Sequence, residues 1–183
     1  MEEEIYSKFI DFYNCADMVV IGMGDEWDHL DSAKDYNQLL EFYHQYLDKK
    51  NFFIISSSKN KEFLWGQINP KRIVQPLLYQ EESLSDTEKE QIEKQWDLYN
   101  KWLSATLNKK LLILELGEGF LNPNVFRWPF EKVTFINQKA EFFRINQLLP
   151  QIPENIKARA HSVASSSYDF LVGLKDFLMN SEN

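Results

Sequence analysis

The sequence predicts an α/β protein, a three-layer sandwich in which helices cover both faces of a parallel β-sheet. Short apolar runs that end in glycine, serine or asparagine are typical of buried parallel strands. Segments with apolar residues three and four positions apart separate them and indicate amphipathic helices. Their alternation favours right-handed crossover connections, which produce parallel sheets. At this length we expect one domain, residues 1–183.

The first third of the chain alternates helix and strand. Apolar spacing predicts a helix over 2–13, and the run 17–22 predicts a buried strand that ends in glycine. A second helix is expected over 32–49 and a second strand over 52–55, which leads into three serines. A short helix is expected over 59–67.

The middle of the chain contains the longest predicted helix. Between two prolines, 72–74 is a short strand or a loop, and 80–86 is a polar loop. Ser85 with Glu88 three residues later forms a capping box and begins the helix. Its expected core face consists of Ile92, Trp96, Tyr99, Leu103 and Leu107.

The last third returns to short apolar runs. Residues 111–116 form a strand that ends in glycine, followed by a loop-rich segment with two prolines. Strands are expected over 133–137 and 141–146, each ending in asparagine, and a short strand over 158–163. A closing helix is expected over 165–179.

Composition excludes several classes of protein. The single cysteine, Cys15, cannot form an internal disulfide or a cysteine-rich zinc site, and it fits a reducing, cytoplasmic location. A net charge of −8 argues against nucleic acid as a partner. We therefore expect no metal. We also expect no membrane partner, because no apolar run of about 18 residues is present and the N-terminus is acidic, where a signal peptide would be basic.

Three predicted strand ends are candidates for ligand binding. They are the glycine turn 22–24, the serines 56–58 and the glycine turn 117–119. Ligands of open α/β sheets bind at the carboxyl ends of the strands. Glycine there lets backbone amides approach a phosphate or a ribose. Each glycine pair, taken alone, is equally explained as a tight turn between a strand and a helix.

The glycine turn at 117–119 belongs to a longer motif. The strand and turn LILELGEGF (112–120) precede Asn122-Pro123 and the WPFE segment 128–131. This combination resembles the sirtuin family, and within it the short microbial branch linked to macrodomains, class M. That branch has a Leu-Gly-x-Gly-Phe turn, an Asn-Thr-Pro and a Tyr-Pro-Phe-Glu. The resemblance covers about 16–146.

The resemblance implies a sirtuin- and deoxyhypusine-synthase-like NAD-binding fold with a Rossmann-like parallel sheet. Its NAD-binding loops correspond to the three strand ends and to the asparagine that follows strand 141–146. The NAD-binding residues that it implies are Gly22, Gly24, Ser56, Ser58, Gly117, Glu118, Gly119 and Asn146. NAD, ADP-ribose or a related nucleotide is the expected ligand, with its adenosine half toward Gly117, Gly119 and Asn146. Glu118 is expected to accept hydrogen bonds from ribose hydroxyls. The nicotinamide half would meet the residues of the degenerate region, namely Asp25, Glu26, Trp27 and Ser58.

The chain departs from the family at the catalytic positions. Ser58 stands where the family has its catalytic asparagine, and Asn60 and Lys61 replace the Asp-His pair that follows. Gln75 lies near the position of the general-base histidine, as it does in class M. The segment 80–95 lacks the four cysteines of the zinc ribbon. Catalytic residues are therefore not assigned.

An acidic segment follows the first glycine turn. Asp25, Glu26, Asp28 and Asp31 lie within seven residues of it. Carboxylates that face the site would repel the pyrophosphate of NAD. Together with His29 they could instead bind a metal or ribose hydroxyls, or supply a nucleophile and an acid for N-glycosidic cleavage. Alternatively, an aspartate simply caps the next helix.

Three functions stay open from the sequence. The first is a degenerate sirtuin-like protein that binds NAD or ADP-ribose with weak or no turnover. The second is an ADP-ribosyltransferase or N-glycosidase that uses the acidic segment Asp25–Asp28. The third is a non-catalytic interaction protein that retains only the fold. The orientation of the carboxylates and of Trp27, between Glu26 and Asp28, separates them.

Overall fold

The computed structural model describes residues 2–29, 40–59 and 68–181. Its centre is a six-stranded sheet in which every pair of neighbours is parallel. The strands are β1 (Met18–Met23), β2 (Asn51–Ser56), β3 (Ile73–Val74), β4 (Leu111–Leu116), β5 (Ala140–Ile145) and β6 (Ala160–Val163). They lie in the order β3-β2-β1-β4-β5-β6, the order of a Rossmann-like fold.

Among the elements whose bounds the structure describes, four α-helices cover the two faces of the sheet. They are α1 (Glu2–Cys15), α2 (Asp86–Ser104), α3 (Arg127–Ile136) and α4 (Ser167–Ser181). One apolar cluster joins Phe9 of α1 and Phe170 of α4 to Ile21 of β1. A second cluster joins Tyr99 of α2 and Phe130 of α3 to the other side of the sheet. The predicted three-layer α/β sandwich is confirmed.

The alternation of β1 explains this arrangement. Successive side chains of a strand point to opposite faces of the sheet. Val19 and Ile21 lie in the cluster with α1 and α4, while Met18 and Val20 lie in the cluster with α2 and α3. Every residue of β1 is buried, so both faces need apolar side chains and the strand is a continuous apolar run.

Helix α2 begins as predicted and ends earlier. The Ser85 hydroxyl accepts a hydrogen bond from the Glu88 amide, and the Glu88 carboxylate accepts one from the Ser85 amide at 2.8 Å. Ile92 and Tyr99 lie in the core, but α2 ends at Ser104 and leaves Leu107 53% exposed. The prediction that Leu107 belongs to the core face is therefore wrong.

The strand predicted over 133–137 is wrong, because those residues form the last turn of helix α3 and its C-cap. Pro129 lies in the first turn of α3, where a missing amide hydrogen is tolerated. Phe126 and Phe130 pack on the backbone of Gly22, where a Cβ atom would lie 2.3 Å from Phe126. The β-branched Thr134 is tolerated within the helix because its hydroxyl donates a hydrogen bond to the Phe130 carbonyl at 2.7 Å. Long-range packing thus overrides the β propensity of this segment.

Two expectations lie partly or wholly outside the described residues. Residues 32–39 of the predicted helix 32–49 lie outside the described residues. Its described remainder is helical as predicted: residues 40–42 are α-helical and continue into a π-helical turn, Tyr43–Leu47. Nearly all of the predicted helix 59–67 lies outside as well. Among the helices within the three described ranges, none combines the length and the apolar character needed to cross a bilayer.

Candidate functional site

The C-terminal ends of β1, β2, β4 and β5 meet at one edge of the sheet. The chain leaves β1 toward β2 on one side and later adds β4 on the other, so the strand order reverses between β1 and β4. A crevice forms at such a switch point, and open α/β sheets bind their ligands there. The predicted glycine turns 22–24 and 117–119 both lie at this reversal.

The two glycine turns pack directly against each other. The Gly24 amide donates to the Leu116 carbonyl at 2.8 Å, and a Cβ atom on Gly24 would lie 2.2 Å from the Gly117 carbonyl oxygen. Gly117 has a φ of +68°, which favours glycine. Gly24 therefore joins the turns to each other, and Gly22 lies inside β1 beneath Phe126 rather than at the ligand edge.

Two carboxylates of the acidic segment bind backbone amides of this site. Asp25–His29 forms a 3₁₀-helix after β1. The Asp25 carboxylate accepts a hydrogen bond from the Gly119 amide at 3.1 Å. The Glu26 carboxylate lies over Gly117 and accepts bonds from the Ser167 amide at 3.1 Å and hydroxyl at 2.7 Å. Glu26 therefore satisfies an amide at the N-terminus of α4.

A cleft of about 390 Å³ lies beside these carboxylates. Its lining includes three residues predicted to bind adenosine, namely Gly117, Gly119 and Asn146. Asp25 and Glu26 also line it. Asp25 and Glu26 thus lie beside Gly117 and Gly119, on the side where the adenosine half is expected. The first residues of the 3₁₀-helix lie against the β4 turn, and its Asp28 contacts Ser58 at the end of β2.

Asn146 shapes the far wall of the cleft. Its amide nitrogen donates to the Glu118 carbonyl at 2.9 Å, and its side-chain oxygen accepts bonds from the amides of Leu148 and Leu149 at 3.0 and 2.8 Å. This side chain thereby joins the β4 turn to the loop after β5. It positions the cleft, with its own hydrogen-bonding groups directed at the backbone.

A buried ion cluster supports the same wall, and the sequence analysis did not find it. Glu115 of β4 accepts bonds from Arg127 at 3.1 Å and from Arg144 at 2.6 and 3.1 Å. Arg144 also pairs with Glu131 of α3 at 2.8 Å. Glu115, Arg127 and Arg144 are at most 2% exposed. The signal for it was a glutamate within the apolar run 111–116.

The ion cluster holds the loops of the cleft by their carbonyl groups. Arg127 donates to the Glu118 carbonyl at 2.8 Å and to the Leu149 carbonyl at 3.0 Å, and Arg144 donates to the Gln151 carbonyl at 2.6 Å. Burial lowers the pKa of Arg127, while the Glu115 carboxylate opposes that shift. The balance of two carboxylates and two guanidinium groups reduces the cost of burying them.

Glu118 is fully buried between the ends of β2 and β4. The Ser57 hydroxyl donates to its Oε2 atom at 2.5 Å, while Oε1 has no hydrogen-bond partner among the residues that the structure describes. Burial raises the pKa of Glu118 to about 8, so the group is mostly protonated at pH 7. A ribose could not reach it without a local opening, contrary to the expectation that Glu118 accepts bonds from ribose hydroxyls.

The residues expected at the nicotinamide end lie at the end of β2. The Ser56 hydroxyl donates to the Met23 carbonyl at 3.1 Å. The Ser58 hydroxyl donates to the Asp28 carboxylate, and the Gln75 amide donates to the Ser58 carbonyl at 3.2 Å. The structure thus brings Ser58, Gln75 and Asp28 together. Asn60, Lys61 and Asp31 are outside the described residues.

The acidic segment does not gather its described carboxylates around one point. Asp25, Glu26 and Asp28 each contact a different partner, namely Gly119, Ser167 and Ser58. Within residues 2–29, 40–59 and 68–181, no three His, Cys, Asp or Glu side chains are grouped so as to hold a metal ion. Trp27 is 1% exposed and lies in the core with α1 and α4, not in the cleft.

Comparisons with known proteins give one partial similarity. No protein-family model matches the chain. A curated protein of Staphylococcus aureus (strain Mu50 / ATCC 700699), described as a protein ADP-ribosyltransferase, is 33% identical over 61 residues. The matched segment is 33% of this chain and 19% of that protein, so the chain spans less than a fifth of its relative.

The ion cluster yields a prediction for stability. Glu115→Gln leaves Arg127 and Arg144 buried with Glu131 as their only carboxylate in the cluster. We expect the free energy of unfolding to fall by about 3–5 kcal/mol, as when one partner of a buried ion pair is removed. Guanidinium unfolding measures it. Glu90→Gln, which removes an exposed pair with Lys94, is the control and should leave the midpoint unchanged. Equal shifts in both variants would contradict the role of the cluster.

Glu118 yields a prediction for the pH dependence of stability. The unfolded chain releases this proton near pH 4.5, whereas the folded chain keeps it until about pH 8. The folded state therefore binds more protons in this window, and its stability falls as the pH rises, by at most about 1.4 kcal/mol per pH unit. Glu118→Gln should remove this component in unfolding experiments between pH 5 and 8. Glu82→Gln, on an exposed loop, should leave the slope as in the wild type.

Proposed function

We propose that this chain binds an ADP-ribose-type nucleotide, such as NAD or ADP-ribose, as a sirtuin-like protein with weak or no turnover. The observation that carries the proposal is the cleft at the switch point between β1 and β4, bounded by Gly117, Gly119 and Asn146. The partial similarity to a protein ADP-ribosyltransferase supports a ligand of the ADP-ribose class.

The cleft suits the adenosine half of such a ligand. Its volume of about 390 Å³ falls in the range of small-molecule sites. Phe120 and Leu148 line it and are 58% and 81% exposed, which gives an apolar surface for an adenine ring. Asp25 and Glu26 are hydrogen-bond acceptors beside that surface, and acidic residues bind ribose hydroxyls in many dinucleotide sites.

The pyrophosphate is less well accommodated than the adenosine. The amides of Gly119 and Ser167, which would otherwise attract a phosphate, already bind Asp25 and Glu26. A phosphate charge about 6 Å from one of these carboxylates costs roughly 2–3 kcal/mol at an effective dielectric constant near 20. Binding should therefore depend on the adenosine part, with the phosphates directed away from the acidic turn.

Weak or absent turnover follows from the other end of the site. Lysine deacylation needs a base that activates a ribose hydroxyl, and the candidate residue is Gln75, whose neutral amide accepts no proton at pH 7. Its nitrogen donates to the Ser58 carbonyl. Loss of a general base reduces rates by about 10²–10⁴-fold. We therefore expect no robust NAD-dependent deacylation of lysine peptides.

ADP-ribosyl transfer or N-glycosidic cleavage is the second candidate. The contact of the Asp28 carboxylate with Ser58 favours this second candidate, because an acid then lies at the proposed nicotinamide end. Release of nicotinamide from NAD by the wild type, and its loss in Asp28→Asn, would favour this candidate over a binding protein without turnover. If no nucleotide binds the wild type, the third possibility, an interaction protein that keeps only the fold, is favoured.

Nucleotide binding can be measured by calorimetry with adenosine, AMP, ADP-ribose and NAD. We expect the affinities for adenosine and AMP to lie within about 10-fold of that for NAD, because the phosphates contribute little to the binding free energy. Gly119→Leu should abolish binding, since its side chain enters the cleft. Gly119→Ala is the matched control, because its Cβ atom would lie 3.3 Å from the Asp25 carboxylate and would occupy little of the cleft. If Gly119→Leu binds like the wild type, the proposed cleft is not the site.

The carboxylates of the acidic turn yield a separate prediction. Glu26→Gln keeps an oxygen that can accept the Ser167 amide, but it removes one negative charge from the cleft. NAD and ADP-ribose should then bind about 10-fold more tightly at low salt. The affinity for adenosine should change little, because the glutamine oxygen can still accept a hydrogen bond from a ribose hydroxyl. Glu82→Gln, with the same change of charge on an exposed loop, is the control. An equal gain for adenosine would contradict repulsion of the pyrophosphate.

A further inference from the structure

A second cavity lies at the opposite edge of the sheet from the proposed nucleotide cleft. It has a volume of about 440 Å³, within the range of small-molecule sites. The C-terminal end of α1 and the first residues of β4 and β5 line it. Its apolar wall consists of Phe12, Ala16, Leu111 and Leu112. The two ends of the sheet thus carry two separate concave surfaces.

Charged side chains stand at the mouth of this cavity. Glu141 already has a partner, because its Oε2 atom lies 3.1 Å from His161 Nε2. Lys110 and Lys139 are exposed, and neither ammonium group has an ion pair or a hydrogen bond with any residue that the structure describes. Asp11, on α1, is the other charged residue of the lining. The mouth therefore has two available hydrogen-bond donor groups beside an apolar wall.

We propose that this cavity binds an amphiphile with an alkyl chain and a carboxylate head, such as a medium-chain fatty acid. The alkyl chain would displace water from the half-buried Phe12 and the exposed Cys15, which is favourable by about 25 cal/mol per Å² of apolar surface removed from water. The carboxylate would accept charge-assisted hydrogen bonds from Lys110 and Lys139. Asp11 and Glu141 would both oppose an anionic head at close range, so the head must contact the two ammonium groups directly.

The only cysteine of the chain reports on occupancy of the cavity. Cys15 is exposed and lines this cavity, so a bound alkyl chain should shield its thiol. The experiment measures the rate at which N-ethylmaleimide, an uncharged thiol reagent, modifies the full chain. Octanoate, octanol and octylamine are added in turn, each below its micelle concentration, so that the length of the alkyl chain is constant and only the head changes.

We expect saturating octanoate to slow modification of Cys15 at least about 5-fold, octanol to protect more weakly and octylamine not to protect. Lys110→Glu and Lys139→Glu should each weaken binding of octanoate about 10-fold, because the new carboxylate repels the head. Lys109→Glu, with the same change one residue away and outside the lining, should bind like the wild type. Intact far-ultraviolet circular dichroism of the variants shows that the fold is kept.

The other outcomes overturn the proposal. Absence of protection by octanoate excludes an alkyl-chain site at Cys15. Equal protection by all three compounds shows an apolar surface without selection for carboxylate. Protection by phospholipid vesicles, but not by octanoate, shows a membrane-contact surface instead of a fatty-acid site. None of these results depends on the nucleotide cleft, so the two proposals fail or succeed separately.

Discussion

The buried carboxylate of Glu115 is the constraint on which the candidate site depends. A glutamate in the middle of a fully buried parallel strand must be paired, because an isolated charge there would be too costly. Arg127 from α3 and Arg144 from β5 both pair with it, and Arg144 then pairs with Glu131. One side chain of β4 thereby fixes the position of α3, of the neighbouring strand and of the loops that surround the cleft.

The same pairing explains why the loops beside the cleft keep their shape with little regular structure. The carbonyls of Glu118, Leu149 and Gln151 accept bonds from the two guanidinium groups, and Asn146 adds a third connection between the same loops. Arginine suits this role, because its five donors can bind a carboxylate and several carbonyls together. The cleft walls are therefore positioned by a network whose own charges are buried away from any ligand.

Sequence periodicity predicted much of the sheet, because the four strands β1 to β4 are largely apolar runs bounded by polar residues or glycine. It failed at 133–137, where the helical conformation depends on Phe126 and Phe130 packing against Gly22, more than 100 residues earlier in the chain. It also missed the ion cluster and the partner of Glu26, which lies 141 residues away at Ser167. The glycine turns were visible in the sequence, but the groups that occupy their amides were not, since those contacts form only when distant strand ends meet.

The acidic segment determines what the two glycine turns can bind. Glycine at a strand end and the first amides of a helix are the usual means by which an α/β fold attracts phosphate. Here those amides are satisfied by Asp25 and Glu26, so the backbone keeps its shape without a bound anion. An anionic ligand must either displace these carboxylates or bind away from them. Only displacement would give the ligand the hydrogen bonds of the Gly119 and Ser167 amides. The uncharged nucleoside faces no such competition, and this difference is the physical basis for recognition through adenosine.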